Sequence, residues 1–168
     1  MSRTLVLVRH GKPEPAGPGV VDFDRKLTPA GIAALEGPDG FNRTFSLLLD
    51  EERSGAEIWT SPAVRARQTA QAVGRALDNN AMRDCEQLWQ QDHAGFLAEV
   101  ASSSAPCVIA VGHIPFMNEA VAYLTGAAIS FKPGGAAAIE LPDPCEPASL
   151  QQGSCRLLWF VQGPTVAS

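Results

Sequence analysis

Two short aliphatic runs, Leu5-Val6-Leu7-Val8 and Val108-Ile109-Ala110-Val111, each lead straight into a histidine motif. Arg9-His10-Gly11 follows the first and Gly112-His113 follows the second. Neither run alternates apolar with polar residues, so each reads as a strand buried on both faces, as in a parallel sheet. In open α/β sheets the ligand crevice lies at the carboxyl ends of such strands. Two imidazoles delivered to that rim, one of them beside an arginine, point to chemistry on an anion.

The rest of the chain supports such a sheet. The first strand is expected over residues 3–9, followed by a loop from Gly11 to Asp24. That loop carries Pro13, Pro15, Gly17, Pro18 and Gly19, a composition that excludes helix and central strand. Thr28-Pro29 is a helix start, with a side-chain oxygen at the cap and proline in the first turn. Gly37-Pro38-Asp39-Gly40 interrupts that helix, and a second helical piece is expected over 41–52. A strand at Glu57–Thr60 precedes Ser61-Pro62, which repeats the cap-then-proline signal for a helix reaching Leu77. A strand over 81–85, a helix from Ala94 to Ala101, a strand over 107–111 and a helix from Pro115 to Gly126 continue the alternation. Ala136–Leu141 and Arg156–Val161 then read as successive antiparallel strands. The expected fold is α/β: a three-layer α/β/α sandwich with a mostly parallel central sheet and an antiparallel strand near the C-terminus. Residues 1–168 are expected to form a single catalytic domain.

Net charge of −5 argues against general nucleic-acid binding, so an anion site here must gather its positive charge locally. No apolar stretch approaches the roughly 20 residues that span a bilayer, so no membrane association is expected. The chain enters its first strand without a basic-apolar leader, and its four cysteines (Cys85, Cys107, Cys145, Cys155) contain no C-x-x-C pair. A cytoplasmic protein with reduced thiols is the expectation.

Three basic positions belong to elements that should converge on one pocket: Arg9 with His10, Arg65 on the first turn after Ser61-Pro62, and His113. Arginine offers a planar fork that matches phosphate oxygens, and a helix N-terminus adds free N–H donors. Arginines nearby favour a neutral imidazole, which is what attack on phosphorus requires. A second, cationic imidazole at His113 would stabilise transition-state charge. Such a pair needs neither metal nor cofactor. No Cys or carboxylate falls at zinc-ligand spacing beside either histidine. Lys12 lacks a P-loop frame.

Arg9-His10-Gly11, Ser61-Pro62-x-x-Arg65-Ala66-x-Gln68-Thr69-Ala70 and Gly112-His113 together resemble the signature set of the histidine phosphatase (phosphoglycerate mutase-like) superfamily. The closer likeness is to its short SixA-type phosphohistidine phosphatases. It extends through Asp22-Phe23-Asp24-Arg25-x-Leu27-Thr28-x-x-Gly31, Val111-Gly112-His113-x-Pro115, Tyr123-Leu124-Thr125-Gly126 and Phe131-Lys132-Pro133-Gly134 to the closing strand around Trp159. The resemblance implies that His10 is the nucleophile, that Arg9, Arg65 and His113 form the phosphate pocket, and that Arg25 adds a contact. It also implies an acid after the third sheet segment, where Glu86 is the candidate with Asp92 behind it. The implied substrate is a phosphorylated histidine protein such as a phosphotransfer domain. A small phosphorylated molecule is the alternative, and a non-catalytic phosphate-binding protein a further one. A mutase fits poorly because the chain is short. His93 reads as a surface or helix-cap residue, Arg67 as an exposed helix charge, and Trp59 and Trp159 as packing residues.

Overall fold

The computed structural model describes residues 2–166. Six strands form one sheet: β1 (Thr4–Arg9), β2 (Ala56–Thr60), β3 (Met82–Asp84), β4 (Cys107–Gly112), β5 (Ala136–Glu140) and β6 (Arg156–Val161), in the order β3-β2-β4-β1-β5-β6. β3, β2, β4 and β1 are mutually parallel, whereas β5 runs antiparallel to β1 and β6 antiparallel to β5. The two aliphatic runs are therefore adjacent central strands, with Leu5 to Val8 opposite Val108 to Val111. All eight residues are at most 1% exposed.

Side chains alternate across a strand, so β1 feeds two cores at once. Leu5 and Leu7 pack with Leu88, Phe96, Phe116 and Val121. Those partners belong to α5 (Glu86–Gln90), α6 (His93–Ser102) and α7 (Phe116–Thr125). Val6 and Val8 pack on the other face with Leu35, Phe41, Ala66 and Val73. These come from α1 (Pro29–Glu36), α2 (Phe41–Thr44) and α4 (Val64–Leu77), and a short α3 (Asp50–Gly55) follows α2 in the chain. Helices thus cover both faces, and the expected three layers are present. Each such fully buried aliphatic side chain contributes about 1.5–3 kcal/mol relative to exposure.

Local signals explain most boundaries. The Thr28 hydroxyl accepts from Gly31 N at 2.8 Å and caps α1, with Pro29 in the first turn. Ser61 behaves differently from expectation: α4 begins at Val64, and Ala63 occupies the cap position. The helix expected over 41–52 is also divided. Phe41, Phe45 and Leu48 keep near-helical spacing because all three are buried. The backbone nevertheless extends at Leu48 and Leu49, and the Glu52 carboxylate, by accepting from Leu49 N, starts α3 afresh. Trp59 is fully buried against Phe96, and Trp159 packs half-buried on the second core.

Candidate active site

The strand order places the site. β1 lies between β4 and β5, and β4 between β2 and β1, so the carboxyl ends of β1, β4 and β2 abut. His10 N donates to Gly112 O at 2.9 Å, and Ser61 N donates to Val111 O at 2.9 Å. These ladder bonds put His10, His113 and Ser61 on one rim. The two imidazole rings meet edge-on with centroids 5.2 Å apart. A pocket of about 510 Å³ opens there, walled by Arg9, His10, Arg25, Arg65, Trp89 and His113, with Asp22 at its edge.

His10 is 6% exposed, and its Nδ1 lies 2.7 Å from Gly11 O. A carbonyl can only accept, so Nδ1 carries the proton and Nε2 presents a lone pair. Arg65 Nε donates to that Nε2 at 3.3 Å. A guanidinium is thereby fixed next to the atom that would meet phosphorus. Burial first, and then the nearby His113, Arg65 and Arg9, push the His10 pKa down to about 3, although the Gly11 bond opposes this. The ring is neutral at any ordinary pH.

His113 Nε2 is 2.8 Å from Ser61 Oγ, and that oxygen also accepts from Ala63 N at 3.3 Å. Ser61 thus orients a histidine instead of capping a helix. The expectation of a cationic His113 needs correction. Burial, followed by the charge of Arg65, holds its pKa near 4, with Asp22 pulling the other way. It is neutral near pH 7, because burial disfavours the imidazolium and the Arg65 guanidinium repels it.

Arg9 is held by the loop after α7. Its NH1 donates to Phe131 O at 2.8 Å, and Gly134 N donates to the Arg9 and His10 carbonyls. Gly134 sits at φ +79°, a conformation that costs other residues strain. Arg9 Nε is buried without a protein partner. A buried, unpaired guanidinium N–H at the wall of this pocket is a costly arrangement that an oxyanion acceptor would relieve. The motif residues of α4 tie the loops down: Thr69 Oγ1 accepts from Gly11 N at 3.0 Å and donates to Arg65 O, and Gln68 Oε1 accepts from Leu27 N at 2.7 Å.

No family model matches the chain, and no curated protein matches it in sequence. Solved structures do match. A candidate phosphohistidine phosphatase SixA from Nakamurella multipartitia is 28% identical, with 97% of each chain covered and a TM-score of 0.73. One from Agrobacterium tumefaciens is 25% identical over 96% of this chain and 98% of that one, also with a TM-score of 0.73. Over nearly its whole length the chain is thus similar to phosphatases of the histidine phosphatase superfamily. A mycobacterial glucosyl-3-phosphoglycerate phosphatase shares this fold at 15% identity, covering 98% of this chain and 100% of that one, with a TM-score of 0.70.

The side chain that α5 contributes to the pocket is Trp89. The expected acid Glu86, on the first turn of the same helix, is exposed and exerts its charge on Arg67. Asp92 accepts from Gly95 N at 2.9 Å and caps α6. Glu86→Gln should therefore leave turnover unchanged in a steady-state assay, where loss of a positioned acid would cost about 10²–10⁴. Arg25 does line the pocket, with Nε donating to Asp22 Oδ1 at 2.9 Å and NH1 to Glu14 O at 3.1 Å. Arg67 pairs with Asp84, and His93 opens α6 stacked on Phe116 with centroids 4.0 Å apart. Among the described residues, no three His, Cys, Asp or Glu side chains cluster as metal ligands, and no helix is long and apolar enough to cross a membrane.

The sequence pattern includes Asp22 in the Asp22-Phe23-Asp24-Arg25 stretch without giving it a role, and it gives no sign of Trp89. Trp89 meets His113 edge-on at 5.5 Å and Phe23 at 5.2 Å, and the Arg65 guanidinium lies 5.8 Å from its ring centre. Asp22 bonds to both Arg65 and Arg25.

Two buried neutral histidines also make the fold acid-sensitive. Their folded pKa values lie below the unfolded value of about 6.5, so the unfolded chain takes up more protons as pH falls. Stability is therefore full above that pH and declines toward pH 4, by on the order of 2 kcal/mol per histidine at pH 5. Urea unfolding at pH 7.5 and pH 5 checks this, and His10→Ala should lose less stability between the two. Equal losses in the variant and the parent would contradict the burial argument.

Proposed function

We propose that this histidine phosphatase hydrolyses phosphohistidine on a signalling or phosphotransfer protein, without a metal, through a phosphohistidine intermediate on His10. The observation that carries the reading is the His10 tautomer, a neutral Nε2 lone pair beside the Arg65 guanidinium in a pocket that Arg9 and Arg25 also line. The solved structures at 25% and 28% identity, both candidate phosphohistidine phosphatases, favour the same substrate class.

The chemistry runs in two steps. Nε2 of His10 forms a bond to phosphorus as the bond from phosphorus to the substrate imidazole breaks, and the departing ring takes a proton from solvent. Positive charge that develops on His10 is shared through its Nδ1–H bond to the Gly11 carbonyl. Water then attacks phosphorus, the bond to Nε2 breaks, and inorganic phosphate leaves with His10 neutral again. Arg9, Arg65 and Arg25 take up the charge on the phosphoryl oxygens, where each charge-assisted bond gains from exclusion of water. A bound dianion also raises the His113 pKa, so the second imidazole becomes a donor when the charge it serves is present.

A protonated imidazole leaves phosphorus far more readily than an alkoxide does, so this substrate asks little of a general acid. Exposure of Glu86 and use of Asp92 as a helix cap agree with that demand. Residues 1–168 act as one catalytic domain in this reading. Its four free cysteines suit the reducing cytoplasm. A small-molecule phosphomonoesterase on the same pocket is the second reading, favoured by the fold shared with the mycobacterial sugar-phosphate enzyme.

Turnover of a histidine-phosphorylated phosphotransfer domain, set against a panel of sugar and nucleotide phosphates with and without a strong chelator, separates the two. The proposal expects the phosphoprotein to be preferred and the chelator to have no effect. Rapid ester hydrolysis with an inert phosphoprotein would overturn it.

A further inference from the structure

Two arginines of the proposed phosphoryl site, Arg65 and Arg25, are both bonded to one carboxylate. Asp22 Oδ1 accepts from Arg25 Nε at 2.9 Å, and Asp22 Oδ2 accepts from Arg65 NH2 at 3.2 Å. One oxygen per arginine is the arrangement that two oxygens of a phosphoryl group would use. Arg65 NH1 also donates to Asp22 O at 2.6 Å, and Arg65 Nε faces His10. Arg65 therefore makes a bond from each of its three nitrogens, two of them to Asp22. Arg9, by contrast, keeps its Nε without a partner.

The two ends of the Asp22–Arg65 pair differ in how they are held. The Arg65 side chain is 6% exposed and fixed on α4, whereas that of Asp22 is 58% exposed. Asp22 opens a single 3₁₀ turn, Asp22–Asp24, that buries no residue. Its loop is the proline- and glycine-rich segment after β1. Releasing this carboxylate to water exposes little and breaks no core contact, so the acidic partner is the one that can leave.

We propose that Asp22 is a built-in competitor for the phosphoryl site, a displaceable carboxylate that holds Arg65 and Arg25 between turnovers and rebinds them as phosphate departs. This rests on the pocket being the phosphoryl site. It makes Asp22 a residue that sets affinity and product release, because each bond it makes to the arginines is subtracted from the net gain on phosphate binding. A purely positioning role has the opposite sign: if Asp22 served to aim Arg65 at the substrate, its loss would weaken phosphate binding.

Calorimetric titration of the purified protein with inorganic phosphate tests this, comparing the parent with Asp22→Asn and Asp22→Ala. Two partly exposed ion pairs predict phosphate binding about fivefold tighter in both variants. Product inhibition by phosphate should tighten by a similar factor, and KM for the phosphorylated substrate should fall. Unchanged or weaker phosphate binding in both variants, with the parent binding normally, overturns the competitor role and leaves the pocket assignment standing. If the parent itself binds no phosphate, the pocket assignment and the competitor role both fall. Thermal melting of each variant confirms that folded protein is being compared.

Discussion

His10→Ala is expected to remove nearly all turnover of phosphoryl substrates and to leave the protein folded. The reaction proposed for this pocket passes through a covalent bond to Nε2, and no second histidine can replace it. His113 Nε2 is engaged with Ser61 Oγ at 2.8 Å, so its ring is held in another orientation. Losing an activated nucleophile should lower kcat by at least about 10⁴, leaving whatever the remaining donors achieve with water. The ring makes its side-chain hydrogen bonds to Gly11 O and Arg65 Nε and belongs to neither apolar core. Truncation removes chemistry without opening the sheet. Steady-state turnover of a phosphorylated phosphotransfer domain, with circular dichroism as the folding control, checks both halves. Near-normal hydrolysis by the variant would show that the nucleophile is elsewhere.

Arg65→Ala should be nearly as damaging, and for a different reason. The residue is 5% exposed, and its guanidinium touches His10 Nε2, the Asp22 backbone and the Asp22 carboxylate. In the proposed reaction it lies where phosphoryl oxygens would gain charge in the transition state, on a side chain largely removed from water. Removing such a donor costs about 10²–10³ in kcat. Phosphate affinity should fall as well, because a charge-assisted pair is lost from the ground state too. Arg65→Lys should recover little, since a single ammonium cannot span both His10 and a phosphoryl oxygen as the planar fork does. Kinetics and phosphate titration on both variants check this. Turnover by Arg65→Ala within a fewfold of the parent would remove the residue from the phosphate pocket.

How much of this could be read from residues alone depended on how local each signal was. β1 and β4 were legible because an unalternated aliphatic run has few other uses, and their ends fixed His10 and His113 on one rim. Arg65 was legible because Ser61-Pro62 marks the approach to a helix, and although α4 begins only at Val64, Arg65 still falls in its first turn. α5 was not, since Glu86-Gln87-Leu88-Trp89-Gln90 is too short to show helical period. Trp89 was lost with it. Asp22 lies in an irregular loop, and its reach to Arg65, 43 positions along the chain, is a tertiary fact with no local trace. Ser61 was misread because a serine before proline suits a cap. In the fold, the demand of a buried imidazole for a partner outweighed that local preference. The protonation of His113 likewise depended on burial and on Arg65, both of which are set only when distant segments meet.

The central claim is that a phosphoryl group passes through Nε2 of His10. Rapid-quench mixing of the protein with a phosphotransfer domain carrying radiolabelled phosphohistidine, followed by peptide mapping, tests it directly. The expected result is a transient, acid-labile and base-stable label on the peptide containing His10, rising before free phosphate and absent in His10→Ala. Release of labelled phosphate at the parent's full rate with no labelled enzyme at any quench time would contradict it.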